Sequence, residues 1–385
     1  MRDRAARRVL IAGGGIGGLV AAIALRRQGI AVSVFERADE LAEVGAGLTL
    51  WANAITSLRR LGLGELLDSV SKPALRSRIL SWRGETLSEA PLEALERRFG
   101  VPLIAAHRAD LQAALLATLG PGVVRTGATC TGFEQHGDET RLRLASGEVV
   151  AGDLLIGADG LRSTIRALLF GAAPPRYAGY TAWRGIAHAT PRQWHEALVT
   201  ESWGAGRRFG LVPLSNGRMY WFATLNAPEG MRDQPGAVKP ALLDLFSGWH
   251  EPIADVIAAT DEAAILRNDI YDRPPLTTWS RGRVTLLGDA AHPMTPNMGQ
   301  GACQAIEDAV TLAERLGADD SVPAALQAYE ARRLTRANAI AQQSRQLGQV
   351  AQWQNRWAAQ AHDTLFRLTP SSLLFRQLEA ALQPA

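Results

Sequence analysis

Arg8-Val9-Leu10-Ile11-Ala12-Gly13-Gly14-Gly15-Ile16-Gly17-Gly18-Leu19 runs a short apolar segment, Arg8 to Ala12, into a glycine cluster, and a helical pattern follows from Ile16 to Gln28. A second apolar run, Ala31 to Phe35, comes next. Strand, glycine turn, helix and strand within about 30 residues form a right-handed βαβ crossover, which predicts a parallel sheet and an α/β fold. The spacing Gly13-x-Gly15-x-x-Gly18 suits such a turn to a pyrophosphate: one glycine makes the bend, one admits the phosphates, and one brings helix against strand. Amides at the helix start then face the negative charge. Glu36 closes the second strand, where a carboxylate accepts hydrogen bonds from both ribose hydroxyls and repels a 2′-phosphate. That end fits the adenosine of FAD or NAD better than that of NADP.

Two more strand-turn-helix units follow, at Asp153 to Leu169 and at Val284 to Leu316. Asp159-Gly160 sits at the first turn, and Ser163 is placed to cap the helix after it. Asp289 of Gly288-Asp289 sits at the second, at a strand's carboxyl end, where open α/β sheets bind ligands. Pro296-Asn297-Met298-Gly299-Gln300-Gly301 then forms a glycine loop ahead of a helix with Ala302, Ala305, Ile306, Ala309, Leu312 and Leu316 at helical spacing. Between these units, residues 177 to 226 alternate in the manner of an antiparallel sheet. Arg208, Gly210 and Val212 share one face of a strand there, as do Tyr220, Phe222 and Thr224 on another. A helical, arginine-rich pattern runs from Pro323 to about Gln360, and Leu365 to Leu382 reads as an amphipathic closing helix.

The 385 residues exceed one ordinary core, so the chain is one large composite domain or two. With 47% hydrophobic and 21% charged residues it is a globular protein and not a disordered one. The net charge of +3 comes with no basic tract, and of 41 basic residues only Lys72 and Lys239 are lysines, which argues against nucleic-acid binding. Cys130 and Cys303 are the only cysteines, too few for a disulfide scaffold, a cysteine-ligated zinc site or a dithiol flavoenzyme, and in keeping with the cytoplasm. The uncharged run Val9 to Leu25 is short for a membrane span and holds five glycines. No metal site and no membrane span are expected.

Taken together, Gly13-x-Gly15-x-x-Gly18, Gly157-Ala158-Asp159-Gly160 and Gly288-Asp289-Ala290-Ala291-His292 resemble the class A flavoprotein monooxygenases, the single-component FAD-dependent aromatic hydroxylases, from residue 8 to about 345. The resemblance implies an α/β FAD-binding domain of glutathione-reductase type, built from residues 1–72, 99–176 and 271–330. An antiparallel substrate domain (73–98 and 177–270) is inserted in it, and C-terminal helices (331–385) follow. It implies noncovalent FAD, with Arg37, Gly47, Arg108, Pro296, Gly299, Gln300 and Gly301 joining Gly13, Gly15, Gly18 and Glu36 around it. Asp289 would sit on the FAD ribose, and Asp159 would serve both FAD and the nicotinamide donor. The helix after Gly301 would stabilise negative charge on the reduced ring.

NADH or NADPH would be the transient donor, and O2, added at C4a of the reduced flavin, would deliver an electrophilic OH to an aromatic or conjugated small molecule. Residues Ala264 to Asp308 look like zeaxanthin epoxidases, and Arg176 to Tyr180 with Arg208 to Tyr220 look like bacterial urate hydroxylases. In the latter, residues matching Arg208 and Tyr220 bind substrate. Arg208 otherwise reads as a surface strand arginine, and His292 as either an active-site hydrogen-bonding group or a helix-entry residue. Ala52 departs from the proline that many members carry beside the flavin. A halogenase reading lacks its Trp-x-Trp-x-Ile-Pro signature, leaving an O2-independent flavin reductase or a flavin-binding sensor as alternatives. Oligomeric state stays open.

Overall fold

The computed structural model describes residues 7–41, 47–188 and 197–383. Arg8–Ala12 pairs in parallel with Ala31–Phe35 on one side and Leu154–Gly157 on the other. Val124–Arg125 extends the sheet beyond Ala31–Phe35, while Val284–Leu286 and then Ser280–Arg281 extend the other side, giving six strands. Only the Ser280–Arg281 edge is antiparallel. The helix Ile16–Arg27 is buried throughout Gly18 to Leu25, which explains its lack of charge: it packs against both Arg108–Leu119 and Gly301–Ala318. Strands Cys130–His136, Glu139–Leu144 and Val149–Gly152 form a small antiparallel sheet.

A second layer is a seven-stranded sheet ordered Leu266–Asp272, Arg176–Ala187, Met219–Asn226, Arg207–Pro213, Leu198–Gly204, Arg76–Ser81, Thr86–Glu89. Alternation divides its side chains cleanly. Trp183, Phe209, Leu211, Met219, Trp221 and Ala223 pack under helices Val238–Leu245 and Ile253–Ala258. Ile186, Val212 and Tyr220 point the other way, onto Ala105. Ala105 belongs to Leu103–His107, the central strand of a three-stranded sheet flanked by Gly47–Leu50 and Ser71–Ala74. That small sheet brings the two larger layers together.

The helical reading of the C-terminus needs correction. The helix Val322–Ala351 stops short of Gln360, and Asn355 starts a separate helix, Arg356–Leu368, by accepting from the amides of Trp357 and Ala358. Pro370 divides the predicted closing helix, leaving Ser371–Leu382 on its own. Among the described residues, no helix is long and apolar enough to cross a membrane.

Candidate functional site

The glycine turn is tight where its residues meet protein and open where a ligand would lie. A Cβ on Gly13 would sit 2.3 Å from the Ala158 carbonyl oxygen, and one on Gly18 would sit 2.0 Å from that of Gly13. Gly13 also has φ +112°, a conformation that favours glycine. A Cβ on Gly15 would meet nothing within 4 Å. Gly15 caps the helix with no side-chain partner, so the first-turn amides remain available to a phosphate. Glu36 stands beside this turn, its two oxygens accepting from the amides of Gly14 (2.7 Å) and Ala38 (3.0 Å). Gln112 donates to the Gly14 carbonyl from within an otherwise apolar helix stripe of Leu111, Leu115 and Leu119, a signal that sequence reading passed over. Arg37 is exposed beyond the strand end.

Further along the cleft, Arg108 opens its helix and lies close enough to act electrostatically on both Asp289 and Tyr220. Asp289 is accessible to solvent yet ringed by protein, and that confinement raises its carboxyl, with His292 and Arg108 pulling it back. The Gly301 backbone lies beside it, at the start of a helix with no side-chain cap. Gly299 turns the loop in the left-handed region (φ +61°) after the short helix Pro296–Met298, and Pro296 is exposed. Ala52, where the family often has proline, is the first residue of helix Ala52–Arg60, a position that suits either residue. The open space at Gly15, the uncapped helix starts and the accessible Asp289 fit an extended dinucleotide such as FAD.

Several predicted residues have partners within the protein. The Asp159 carboxylate is engaged by Ser163 Oγ (2.5 Å) and the amides of Thr164 and Ile165, so it organises the helix start, with Ser163 capping through Arg166 N as expected. His292, read as either an active-site group or a helix-entry residue, is buried behind the Gly288–Ala290 turn, with Nε2 2.5 Å from Asp308 Oδ2. Arg333 holds the other oxygen of Asp308, and also reaches Glu307 and Gln304. The Gln300 side chain turns into this same interior network, its Oε1 accepting from Asn53 and Gln304. Burial alone would raise Asp308, but His292 and Arg333 hold it down at about 2. Gly47 packs against the Tyr220 ring, its Cβ position 2.5 Å from Cγ, so its contact is with the seven-stranded sheet.

Near Asp159, Arg166 is buried, its guanidinium donating to the carbonyls of Ala290, Ala291 and Pro274, and burial together with Arg273 pushes it down to about 10. Arg273 donates to the Leu161 and Ala173 carbonyls and is lowered by burial and by Arg162. Among the described residues, no carboxylate pairs with Arg162, Arg166 or Arg273.

On the seven-stranded sheet, Arg208 is not a surface residue, being 2% exposed. It donates to Gln352 Oε1 (2.8 Å), Glu201 Oε1 (2.7 Å) and Asn297 Oδ1 (2.8 Å), with its guanidinium over the Tyr180 ring. Asn297 also accepts from Tyr180 and donates to Thr295 and to the Ser344 carbonyl. The loop before Gly301 is thereby tied directly to the sheet. Tyr220 is buried on the same face; burial pushes its phenol up, opposed by Arg184 and Arg108. Sequence reading placed Arg208 and Tyr220 here and missed Glu201, Gln352 and Arg184.

The FAD binding domain family matches residues 6–344. The aurachin C monooxygenase/isomerase of Stigmatella aurantiaca is 46% identical over 375 residues, covering 97% of each chain. The chloroplastic zeaxanthin epoxidase of Solanum lycopersicum is 37% identical over 86% of this chain, which spans only 53% of that longer protein. Among solved structures, Klebsiella pneumoniae HpxO complexed with FAD and uric acid superimposes with a TM-score of 0.92 at 31% identity, over 98% of this chain and 96% of that one.

Proposed function

The chain belongs to the FAD binding domain family, as an FAD-dependent monooxygenase of class A, and from that premise we propose that it hydroxylates or epoxidises an electron-rich planar aromatic or heteroaromatic molecule, using O2 and NADH or NADPH. One oxygen atom enters the substrate and the other leaves as water, with two electrons from the nicotinamide. Bound noncovalently, FAD supplies the redox and oxygen chemistry. We take residues 1–72, 99–176 and 271–330 as a glutathione-reductase-type FAD domain, 73–98 and 177–270 as the substrate domain, and 331–385 as C-terminal helices.

The observation that carries this reading is the meeting of two unlike surfaces. One is the cleft lined by the Gly13–Gly18 turn, Arg108, Asp289 and the Gly301 helix start; the other is the face of the seven-stranded sheet bearing Tyr220 and Phe222. The first holds a dinucleotide by amides and a carboxylate on hydroxyls. The second offers rings to stack on and, in Ala105, Ile186, Val212, Leu214 and Tyr220, an apolar cluster that excludes water. Arg162 and Arg273, without a carboxylate partner among the described residues, suit the phosphates of the nicotinamide donor. Uric acid in the related Klebsiella structure supports a heteroaromatic substrate. The test is turnover of the flavin-loaded enzyme with planar ligands under isotopically labelled O2. Label in the product is expected; unlabelled product with turnover persisting without O2 would overturn the reading in favour of a reductase.

A further inference from the structure

Residues paired across antiparallel strands point to the same side, so the sheet face that turns toward the loop Pro296 to Gly301 is built in rows. One row, Ile186, Tyr220 and Val212, is buried. So is the row Ala182, Thr224 and Arg208. Between them runs the row Arg184, Phe222, Gly210, Glu201, whose three side chains are only half-buried. Gly210 contributes no side chain because there is no room for one: its Cβ would lie 2.0 Å from Phe222 Cε1. The Phe222 ring therefore lies down over the Gly210 backbone and makes a flat floor.

The two ends of that floor differ in chemistry. Arg184 donates to the neutral Asn268 Oδ1 (3.1 Å) and lies against Tyr220. Glu201, three strands away and so roughly 14 Å between backbones, commits Oε1 to Arg208, while no described residue donates to Oε2. Arg208 itself is buried with three protein acceptors, so Arg184 is the arginine of this face with donors to spare.

Building on the placement of substrate proposed above, we infer that the substrate lies across Phe222 as a neutral heteroaromatic and that Glu201 determines its specificity. Arg184 donates to a ring carbonyl or hydroxyl oxygen at one end. Glu201 accepts from an N–H or O–H at the other. A carboxylate has no proton to offer, so an acceptor or an anionic group at that end is rejected.

Two isosteric probes separate the ends: 4-quinolone, with carbonyl and N–H opposed across the ring, and chromone, with ring oxygen in place of N–H. Calorimetric titration of the flavin-loaded enzyme should show 4-quinolone binding at least about tenfold more tightly, the size of one hydrogen bond to a charged group. In Glu201→Gln, the amide oxygen is drawn to Arg208 and the NH2 group faces the ligand, so the preference should fall below about twofold. Arg184→Gln should weaken both ligands alike and keep their ratio, since both carry the carbonyl. Equal affinities in the wild type, or a preference that survives Glu201→Gln, would overturn the assignment of Glu201 while leaving the pocket in place. Binding of neither probe would overturn the placement of substrate on this face and the inference with it. The wild-type comparison stands even if Glu201→Gln does not fold.

Discussion

Position 15 separates folding from binding at the scale of one residue. Its Cβ would meet nothing within 4 Å, whereas Cβ atoms at 13 and 18 would strike backbone at 2.3 and 2.0 Å. Gly15→Val should therefore fold normally and lose flavin, because the branched side chain fills the space the pyrophosphate needs. Flavin absorbance beside a thermal melt checks both halves; a folded variant with full flavin content would refute the assignment. Asp289→Ala removes an accessible carboxylate from beside the Gly301 helix start. Losing a charged hydrogen-bonding group of that kind costs about 1.5 to 3 kcal/mol, or roughly ten- to hundredfold in FAD affinity. Titrating flavin back into the apoprotein measures it, and a change below twofold contradicts the role. Both residues were legible in the sequence because their motifs are local: a strand, a turn and a helix start within a few positions. Glu201, Asn297 and Gln352 were not, because what defines them is Arg208, which meets Asn297 and Gln352 across 89 and 144 residues of chain.

Among elements, the helix Gly301–Ala318 joins the cleft to the interior. Its start faces the cleft, while Glu307 and Asp308 within it face Arg333 of the helix Val322–Ala351 in the interior. Asp308 sits at about 2 in the folded protein against roughly 3.9 in an unfolded chain. A depressed carboxylate stabilises the fold fully above the unfolded value and loses that contribution as pH falls through the folded one, so the window is about pH 4 to 2. The linked stability is roughly 2 to 3 kcal/mol. Urea midpoints at pH 6 and pH 3 should fall steeply for the wild type; Asp308→Asn should start lower and change less between them. Equal pH slopes would assign the acid sensitivity elsewhere. The strands Arg8–Ala12 and Ala31–Phe35 could be read to the residue because both are apolar runs bounded by glycine turns or charge. Ser71–Ala74 could not: it contains Lys72 and Pro73, looks like a loop, and is a strand only because Leu103–His107 pairs with it at a sheet edge, where proline is tolerated.

For the molecule as a whole, Arg208 is the joint between layers. It holds the strand Leu198–Gly204 through Glu201, the loop Pro296 to Gly301 through Asn297, and the residue after the helix Val322–Ala351 through Gln352. Gln352 in turn accepts from Thr224 and donates to Asn226, so the sheet, the loop and the C-terminal helix share one network. Arg208→Gln leaves Glu201 without its cation and ties Asn297 to the sheet through Tyr180 alone. The glycine turn, Arg108 and Asp289 lie outside this network, so flavin content should not change. What should change is the exclusion of water where the seven-stranded sheet and the loop Pro296 to Gly301 meet. The fraction of NAD(P)H electrons that ends in product is then expected to fall several-fold, with hydrogen peroxide making up the difference. Asn297→Ala cuts a single arm and keeps the Arg208 to Glu201 pair, so it should reproduce the effect in smaller measure. Product, peroxide and NAD(P)H counted together in each variant decide the matter: unchanged coupling in both would mean that the network only packs the layers, and that the dryness of the site is set by the apolar cluster around Tyr220 instead.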